Sequence, residues 1–440
     1  MYLIDDQTTY PSTLAQQLLA ANVTPLSTLT PAATATPATS GNAQPVPDDT
    51  RSESFTQAFL KVLLPTFKAT NAPFLSVIDY PDPATAAALT GVGSAAMQEA
   101  LQHDDLDLGE IIDGLRADNL LSNVNIIVTS DHGVDDVLQP GNSTAANQTI
   151  TAPSNDLRTD VAAMLAADAA KGTHGLLPHV GAHGVSTGAV TPATRVVLVA
   201  GGGVDAISFP ATSALLALGN GDASAARQLL AREIVNWLQQ TSQIGPIFVG
   251  DSLDNNIDGV LPLSDIMLAG DRSPAIIFSF TTHALDVGDR AQNPQGFAGT
   301  TYADTGDVAT WGTLSRRDVH TIFYATGPSF KQGARDLAPT GAIDMAPTLD
   351  SILGLTIPAH IQGRSLDELL ANGPDGVTNS STVFASTEAV TTNNQAFLEV
   401  VQVETAGSTV YIQDAYAIHA STPQTIDDLK NQAITLAGQE

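Results

Sequence analysis

The sequence predicts an α/β fold with a mostly parallel sheet covered by helices on both faces, and three observations support this class. Apolar, β-rich runs alternate with helical stretches along the chain. The 440 residues are enough for one large α/β core with an appendage, or for two to three average domains. Hydrophobic residues make up 43% of the chain, which is sufficient for a sizeable buried core and excludes wholesale disorder.

The strands are predicted from short apolar runs bounded by turn residues or acidic side chains. In chain order these runs are Phe74–Ile78, Val124–Thr129, Arg195–Ala200, Ile247–Val249, Ala275–Phe280 and Thr321–Ala325. Near the end of the chain, Ala396–Gln402 and Thr409–Gln413 predict a β hairpin around Ala406-Gly407-Ser408.

Helices are predicted between these strands from apolar positions at helical spacing. Ser94 is the expected N-cap of a long helix, on which Asp104, Asp105 and Asp107 are expected to face away from the core. The other two predicted helices are Ala223–Gln239 and Asp344–Leu353.

The predicted domain organisation has three parts. Residues 1–54 form an N-terminal segment that is expected to be a truncated part of the core, and they include a Thr-, Ala- and Pro-rich loop over Thr28–Pro47. Residues 55–372 form the core itself. Residues 373–440 form a polar linker and a small C-terminal β tail.

The composition excludes several classes of protein. With 46 acidic and 17 basic residues, the formal charge of −29 excludes nucleic-acid binding by a basic surface and argues against docking to anionic lipid. No run reaches the ~18 apolar residues of a membrane helix, and the start at Met1–Asp6 lacks the features of a signal peptide. The absence of cysteine excludes disulfides and thiolate chemistry.

Two acidic motifs follow predicted strands, where ligands bind in an open α/β sheet. Asp82 comes after the first strand, and Asp131-His132-Gly133 comes directly after Val124–Thr129. A carboxylate oxygen combined with an imidazole nitrogen suits zinc and similar ions. The sequence therefore predicts a metal site with Asp82, Asp131 and His132 as ligands.

The segment Asn125–Gly133, which ends in Thr-Ser-Asp-His-Gly, resembles the signature of the type I phosphodiesterase/nucleotide pyrophosphatase branch of the alkaline phosphatase superfamily. Three further segments resemble the same family in register, and together they extend the likeness over about residues 55–370. They are Asp105–Ile112, Gly312–Lys331 and Ile343–Leu366. The resemblance implies a three-layer alkaline-phosphatase-like core, and relatives are often exported.

The resemblance also implies the chemistry. In the family, two metal ions flank a Thr or Ser nucleophile that attacks phosphorus. One ion is held by an early Asp and the Asp-His pair, which correspond here to Asp131 and His132. The second ion is held by the Asp of a Pro-Asp motif, here Asp82, and by two His residues. The implied cofactor is a divalent metal, zinc first, and the implied substrate is a phosphate ester or a nucleotide-like molecule.

This sequence departs from the family pattern at both of those His positions. Ala86 stands four residues after Asp82, and Trp311 precedes Gly312 in the late loop, so neither side chain can ligate a metal. The expectation is therefore one ion rather than two.

The N-terminal site residues remain open between two alternatives. Thr34 and Thr36 are candidate nucleophiles, although the family position two residues before Pro37 is Ala35, and Asp5 or Asp6 is the candidate early ligand. Alternatively, the segment Thr13–Leu19 resembles a family helix that follows the nucleophile. In that case the early Asp and the nucleophile lie upstream of Met1.

Two functional hypotheses follow. The first is a metal-dependent hydrolase of phosphate diesters or nucleotide pyrophosphates with a degraded metal site. The second is a catalytically inactive or truncated relative that acts as a binding or structural protein. The charge of −29 bears on both, because an acidic protein repels anionic esters unless cations reverse the local field.

Overall fold

The structure is a computed structural model of the chain, and it describes a defined part of the sequence. The described residues are 3–4, 9–23, 50–70, 72–137, 144–145, 148–149, 190–192, 194–200, 202–241, 243–254, 257–285, 297–300, 309–377, 380–386, 390–392 and 395–420. The candidate residues Asp5, Asp6, Thr34 and Thr36 lie outside these ranges, as does the Thr28–Pro47 loop.

The chain divides into two compact units. The first contains Met1–Ile127, Gly306–Ala309 and Tyr324–Gln332, and the second contains Val128–Thr305, Thr310–Phe323 and Gly333–Glu440. Each unit is described by itself below. Asp82 belongs to the first unit, whereas Asp131 and His132 belong to the second.

Helices dominate the described part of the first unit. The α-helices are Ser12–Ala20, Thr50–Ala58, Leu64–Thr70, Asp82–Thr90 and Ala95–Ala117, with a π-helical turn at Phe59–Leu63 and a 3₁₀ turn at Leu121–Asn123. The short strands Leu3–Ile4 and Thr9–Tyr10 pair with each other. The strands Ile126–Thr129 and Phe323–Thr326 also pair.

The long helix of this unit confirms the predicted start. The Ser94 hydroxyl accepts a hydrogen bond from the Met97 backbone N–H at 3.2 Å, which satisfies one of the N–H groups left open at a helix start. Further along the helix, Ile111 and Leu115 are buried in an apolar cluster with Phe59.

The expected orientation of the acidic residues on this helix is wrong for Asp107, which is buried, and for Asp104, which is half-buried; Asp105 is exposed as expected. The reason lies in the opposing helix Thr50–Ala58, whose buried positions include Ser52 and Thr56 rather than large apolar residues. A polar face on that helix allows carboxylates to lie in the interface.

The predicted strand Phe74–Ile78 is wrong, because residues 72–81 form no strand. The alternation of side chains is nevertheless strand-like. Phe74 points inward and stacks on Phe67 with ring centroids 4.6 Å apart, whereas Val77 points outward and is 84% exposed. One apolar cluster therefore holds the segment in place although it lacks strand pairing.

The second unit contains the sheets. One sheet has the strand order Leu261–Pro262, Ile244–Val249, Ile276–Phe280, Val204–Ser208, Val197–Ala200. Another contains Asp135–Val137, Phe297–Thr300, Thr282–Leu285, Thr144–Ala145 and Gln148–Thr149. Ala309–Thr310 is a further two-residue strand among the described residues.

Helices and 3₁₀ turns lie between these strands. The α-helices of the second unit are Ser213–Leu218, Ala223–Leu238, Asp251–Asp254, Arg316–Val319 and Met345–Leu353. The 3₁₀ turns are Leu263–Ile266, Ala342–Asp344 and Asp367–Leu369. The predicted helices that begin near Ala223 and Asp344 are both confirmed.

The mixed α/β class is confirmed, but the strand directions differ from the mostly parallel sheet that the sequence predicts. Ile244–Val249 pairs in parallel with Leu261–Pro262, and Asp135–Val137 with Phe297–Thr300. Most of the other described ladders are antiparallel. Short connections explain the difference, because strands joined by a few residues, such as Val197–Ala200 and Val204–Ser208, fold back on each other.

The C-terminal strands confirm the predicted hairpin and extend it. Gln395–Ala406 and Thr409–Ala420 pair antiparallel around Gly407, whose φ of 62° suits glycine, and Ser380–Ser386 and Val390–Thr392 pair with the first of them. Phe397 lies in the main apolar cluster of the second unit, so the hairpin contributes to its core.

Within the described ranges, no helix combines the length and the apolar character needed to cross a membrane.

Candidate functional site

The Asp82 region is the first of two places where predicted site residues are found. Asp82 opens the helix Asp82–Thr90, and its side chain is only 4% exposed. Its Oδ2 atom accepts a hydrogen bond of 2.6 Å from the hydroxyl of Ser52, which is itself buried. The carboxylate that the sequence assigns to a metal is thus engaged with a neighbouring helix.

Other acidic and hydroxyl groups surround this pair. Burial raises the pKa of Asp104 to about 7, and the charges of Asp82 and Asp107 act in the same direction. Burial likewise raises the pKa of Tyr80 to about 12, and its hydroxyl hydrogen-bonds with Thr56 at 2.7 Å. We call Ser52, Asp82, Asp104 and Asp107 the first acidic cluster.

Ala86 has a structural role beside this cluster. Its side chain is buried together with Ala96 and Ala100 of the long helix, and Met97 packs against them. Small residues allow two helices to approach closely, which a ligating His at position 86 would prevent. Position 86 therefore contributes to a helix contact.

The second region is the loop after the strand Ile126–Thr129. The Thr129 hydroxyl donates to the Ile322 carbonyl at 2.9 Å, and the Ser130 hydroxyl accepts from the Ile322 N–H at 3.3 Å. At the other end of the strand, the Asn125 side-chain amide donates to the Ser329 hydroxyl at 2.9 Å, and the Ser329 backbone N–H donates to Asn125 Oδ1 at 2.9 Å. Hydrogen bonds therefore fix both ends of this strand. The loop that follows begins from a defined position.

Asp131 and His132 are adjacent in space as well as in sequence. The Asp131 Oδ1 and His132 Nε2 atoms are 3.6 Å apart, and the side chains are 89% and 31% exposed. His132 Nδ1 lies 2.7 Å from the Gly133 carbonyl oxygen. Since a carbonyl can only accept, Nδ1 carries the proton, and in the neutral imidazole the lone pair is on Nε2.

Gly133 holds this loop against the segment that contains Asp318. Its N–H donates to the Asp318 carbonyl at 2.8 Å. A Cβ atom at position 133 would lie 2.0 Å from the Arg317 carbonyl oxygen, so only glycine fits this approach.

Trp311, which stands in place of an expected His, stacks on His132. The ring centroids are 5.2 Å apart and the planes differ by 16°. Its own carbonyl accepts a hydrogen bond of 2.7 Å from the Gly203 N–H. The stacking covers a face of the imidazole, whereas a metal would bind in the ring plane at Nε2.

The sequence missed two acidic residues in this region, Asp135 and Asp318, which are 1% and 3% exposed. The hydroxyl of Ser315 donates to Asp135 Oδ2 at 3.2 Å, and the backbone N–H of Thr313 donates to Asp318 Oδ2 at 2.6 Å. Their positions in the sequence could have indicated them. Asp135 lies three residues after His132, and Asp318 lies within the family-like segment Gly312–Lys331.

The fit of these residues to the metal implied by the family is partial. His132 Nε2 and the Asp131 carboxylate are chemically suited to a zinc-like ion and lie close together. Within the described ranges, however, no group of three or more His, Asp or Glu side chains comes together around a common point. The early-ligand candidates Asp5 and Asp6 lie outside those ranges.

The C-terminal hairpin supports the loop that carries Trp311 and Asp318. The Ala415 N–H donates to the Leu314 carbonyl at 2.7 Å, and the Arg316 N–H donates to Asp414 Oδ1 at 3.1 Å. His320 Nε2 lies 2.5 Å from Gln413 Oε1. The region that the sequence presents as a tail therefore positions the candidate site.

Residues 10–179 match the sequence profile of the family described as type I phosphodiesterase / nucleotide pyrophosphatase. This match confirms, over that part of the chain, the family resemblance carried by the motifs. Comparison with curated protein sequences gives no match.

Among solved structures, human ectonucleotide pyrophosphatase / phosphodiesterase 5 is similar with 15% identity and a TM-score of 0.41, covering 76% of this chain and 66% of that one. An inactive variant of the murine enzyme, solved in complex with AMP, gives 17% identity, a TM-score of 0.38, and coverage of 66% and 57%. The alkaline phosphatase PafA gives 14% identity, a TM-score of 0.47, and coverage of 72% and 53%. The chain thus spans less than two thirds of the length of each of these structures.

Proposed function

We propose that this chain is a metal-dependent hydrolase of phosphate diesters or nucleotide pyrophosphates that works with a reduced metal site. One observation carries the proposal. His132 is held by its Nδ1 contact to the Gly133 carbonyl so that the Nε2 lone pair is free beside the exposed Asp131 carboxylate. Backbone hydrogen bonding of one ring nitrogen is how proteins orient a metal-ligating imidazole through the other.

In this proposal Asp131 and His132 hold a single divalent ion, with zinc as the first choice. When bound, such an ion neutralises the charge of a phosphate ester and polarises its oxygens. Other residues of the chain would hold the two ligands in position. Gly133 and Asp318 fix the loop, and Trp311 restricts rotation of the imidazole by stacking on it.

The ion count follows from the two lost ligands. Ala86 is packed between helices, and Trp311 offers no metal-binding atom, so Asp82 would be the sole remaining ligand of the second ion. The hydrogen bond from Ser52 further ties Asp82 to its own unit. We therefore expect fewer than two tightly bound transition-metal ions per chain.

The substrate class rests on the family resemblance. The murine neighbour was solved with AMP, which is consistent with a nucleotide-like or phosphate-ester ligand for this chain. With a net charge of −29, the protein needs a bound cation to attract such an anion.

The proposal also includes an exported location. It divides the chain into a core over residues 55–372 and a β tail over residues 373–440.

A second candidate function is a non-hydrolytic binding protein derived from such an enzyme. The observation in its favour is Trp311, which occupies the position of a family ligand and lies against His132. The nucleophile candidates Thr34 and Thr36, which lie outside the described residues, do not decide between the two functions.

Hydrolysis of bis(p-nitrophenyl) phosphate by the full chain with added zinc distinguishes these functions. We expect little but measurable turnover that needs zinc and is lost in Asp131→Ala. Asp105→Asn, which removes an exposed acid far along the sequence, is the matched control and should keep the wild-type rate. No turnover above that of Asp131→Ala would favour the binding protein.

Elemental analysis tests the reduced site directly. After dialysis against zinc and removal of excess, we expect about one ion per chain in the wild type and loss of that ion in His132→Ala. Two stoichiometric ions would contradict the reduced site.

A further inference from the structure

Two buried carboxylates lie close to the His132 loop and take no part in the proposed hydrolytic site. Asp135 begins the strand Asp135–Val137, and Asp318 lies in the helix Arg316–Val319. In each carboxylate Oδ2 is hydrogen-bonded, whereas Oδ1 is buried and has no hydrogen-bond partner among the described residues.

Hydroxyl groups connect the two acids. The Ser315 hydroxyl donates to Asp135 Oδ2 at 3.2 Å and accepts from the Asp318 backbone N–H at 3.4 Å. The Thr313 hydroxyl donates to Ser315 Oγ at 2.9 Å. The Ser315 hydroxyl therefore links the Asp135 carboxylate to the backbone of Asp318. We call Asp135, Thr313, Ser315 and Asp318 the second acidic cluster.

An uncompensated pair of buried negative charges is costly. Burying one ionised carboxylate is unfavourable unless it is paired or bound to a metal, and a second like charge nearby adds repulsion. Burial raises the pKa of both side chains, and the Asp318 charge adds to the rise at Asp135.

Charges on the neighbouring elements offset this effect only partly. Arg317 lowers the pKa of Asp135 while Asp136 raises it, and His132 lowers the pKa of Asp318, as do the Thr313 and Gly312 backbone groups. None of these groups hydrogen-bonds either Oδ1 atom. The Oδ1 atoms of Asp135 and Asp318 are thus buried without a hydrogen-bond partner among the described residues, and carboxylate oxygens of this kind suit a cation.

We propose that Asp135 and Asp318 bind one hard divalent cation, Ca²⁺, through their Oδ1 atoms, with the hydroxyls of Thr313 and Ser315 as further oxygen groups at the site. Oxygen-only donors suit Ca²⁺ and Mg²⁺ rather than zinc. Ca²⁺ is preferred because it accepts irregular coordination by carboxylate, hydroxyl and water oxygens, whereas Mg²⁺ demands near-octahedral geometry.

The Ca²⁺ site has a structural purpose. It cross-links the strand that follows the His132 loop to the helix that contacts the C-terminal hairpin through Arg316 and Asp414. The bound cation would keep the Gly133–Asp318 backbone contact closed. This site is separate from Asp131 and His132 and does not depend on hydrolytic activity.

Equilibrium dialysis of the chelator-treated full chain with Ca²⁺ tests the proposal. We expect one Ca²⁺ per wild-type chain and a rise in melting temperature on its addition, with a smaller rise for Mg²⁺. Asp135→Asn and Asp318→Asn should each weaken Ca²⁺ binding more than tenfold and lose the thermal response. Asp136→Asn, which removes an adjacent acid, should retain both.

The Asn variants are close in shape to Asp and relieve the mutual repulsion, so circular dichroism should report folded protein. Asp131→Ala should also retain the Ca²⁺ response, and this result separates the proposal from the hydrolase. A wild type that binds neither cation at millimolar concentration, or a Ca²⁺ response that survives in both Asn variants, would overturn it. In the first case the two acids would instead share a proton.

Discussion

The family resemblance predicts metal binding at both the Asp82 region and the Asp131–His132 region, yet the surroundings of the two regions differ in the structure. Asp82 is buried and accepts a hydrogen bond from Ser52, next to an alanine that has joined a helix contact. Asp131 is exposed, and His132 keeps a free ring nitrogen beside it. The Asp82 carboxylate is thus packed inside its unit, whereas the Asp131 carboxylate and His132 Nε2 remain available as ligand atoms.

The difference shows that the two regions have different structural roles. Near Asp82, Ala86 packs against the long helix, and the carboxylate accepts a hydrogen bond from Ser52. Near His132, Trp311 stacks on the imidazole and leaves its in-plane nitrogen open. Removing side chains from the two regions should therefore affect different properties.

The largest expected effect is on stability at the first region. Asp82→Ala should lower the free energy of unfolding by about 2–3 kcal/mol, because it leaves the buried Ser52 hydroxyl without its acceptor. Asp131→Ala, at an exposed position, should change it by less than about 0.5 kcal/mol. Urea denaturation measures both values. Asp82→Asn keeps an acceptor for Ser52 and should recover most of the loss; equal losses in Asp82→Ala and Asp131→Ala would contradict the contrast.

The second prediction concerns Gly133. Gly133→Ala should destabilise the protein by about 1–3 kcal/mol and weaken zinc binding, because its Cβ would displace the Arg317 carbonyl and move the His132 loop. The matched control is Gly109→Ala in the long helix, where a Cβ meets nothing within 4 Å. That change should stabilise by about 0.5–1 kcal/mol. Thermal and urea unfolding should show changes in the free energy of unfolding of opposite sign for the two variants. A Gly133→Ala variant as stable as the wild type would contradict the close approach.

The third prediction places a His at position 311, where the family pattern predicts one. Trp311→His should raise zinc affinity about tenfold, equivalent to about 1.4 kcal/mol, because a second imidazole is placed against His132. Trp311→Phe keeps an aromatic ring without a ligand atom and should leave the affinity near that of the wild type. Calorimetric titration of zinc measures both. An affinity that falls in Trp311→His would indicate that stacking matters more than ligation.

The last prediction is a pH dependence at the first acidic cluster. The pKa of Asp104 is raised to about 7 from an ordinary value of 3.8, so the folded state holds the proton more tightly than the unfolded state. The stability this proton contributes is fully present below about pH 4 and is lost as the pH rises through 7. Asp104→Asn should remove this decline between pH 4 and 8, whereas Asp105→Asn, at an exposed neighbour, should not. Melting temperatures measured across that range would decide, and an unchanged slope in Asp104→Asn would exclude Asp104 as its source.

Sequence reasoning succeeded where the pattern is local. The Ser94 cap, the helix starting at Ala223 and the hairpin around Gly407 are each specified by adjacent residues, and each is confirmed. The strand Phe74–Ile78 failed because strand pairing depends on a partner that apolar spacing cannot reveal.

The site followed the same rule. Asp131 and His132 stand together because they are neighbours in sequence, and the motif indicates them directly. Asp135 and Asp318 were missed because they meet only after folding and are separated by more than 180 positions. The inward direction of Asp107 also depended on a distant helix, whose polar face is apparent only in the structure.

The paired hydrogen bonds between Asn125 and Ser329 have a consequence for how the protein is made. They join residues 204 positions apart, so the strand that precedes the His132 loop cannot be fixed until Ser329 has been synthesised. At roughly 5–20 residues per second, a ribosome needs on the order of 10–40 s to cover that distance. During this interval the strand lacks its partner strand Phe323–Thr326, although Ile126 can already pack against Phe59 and Ile111. Contacts of such long range also form slowly after denaturation. The nascent chain is therefore expected to depend on chaperones more than its final fold would indicate.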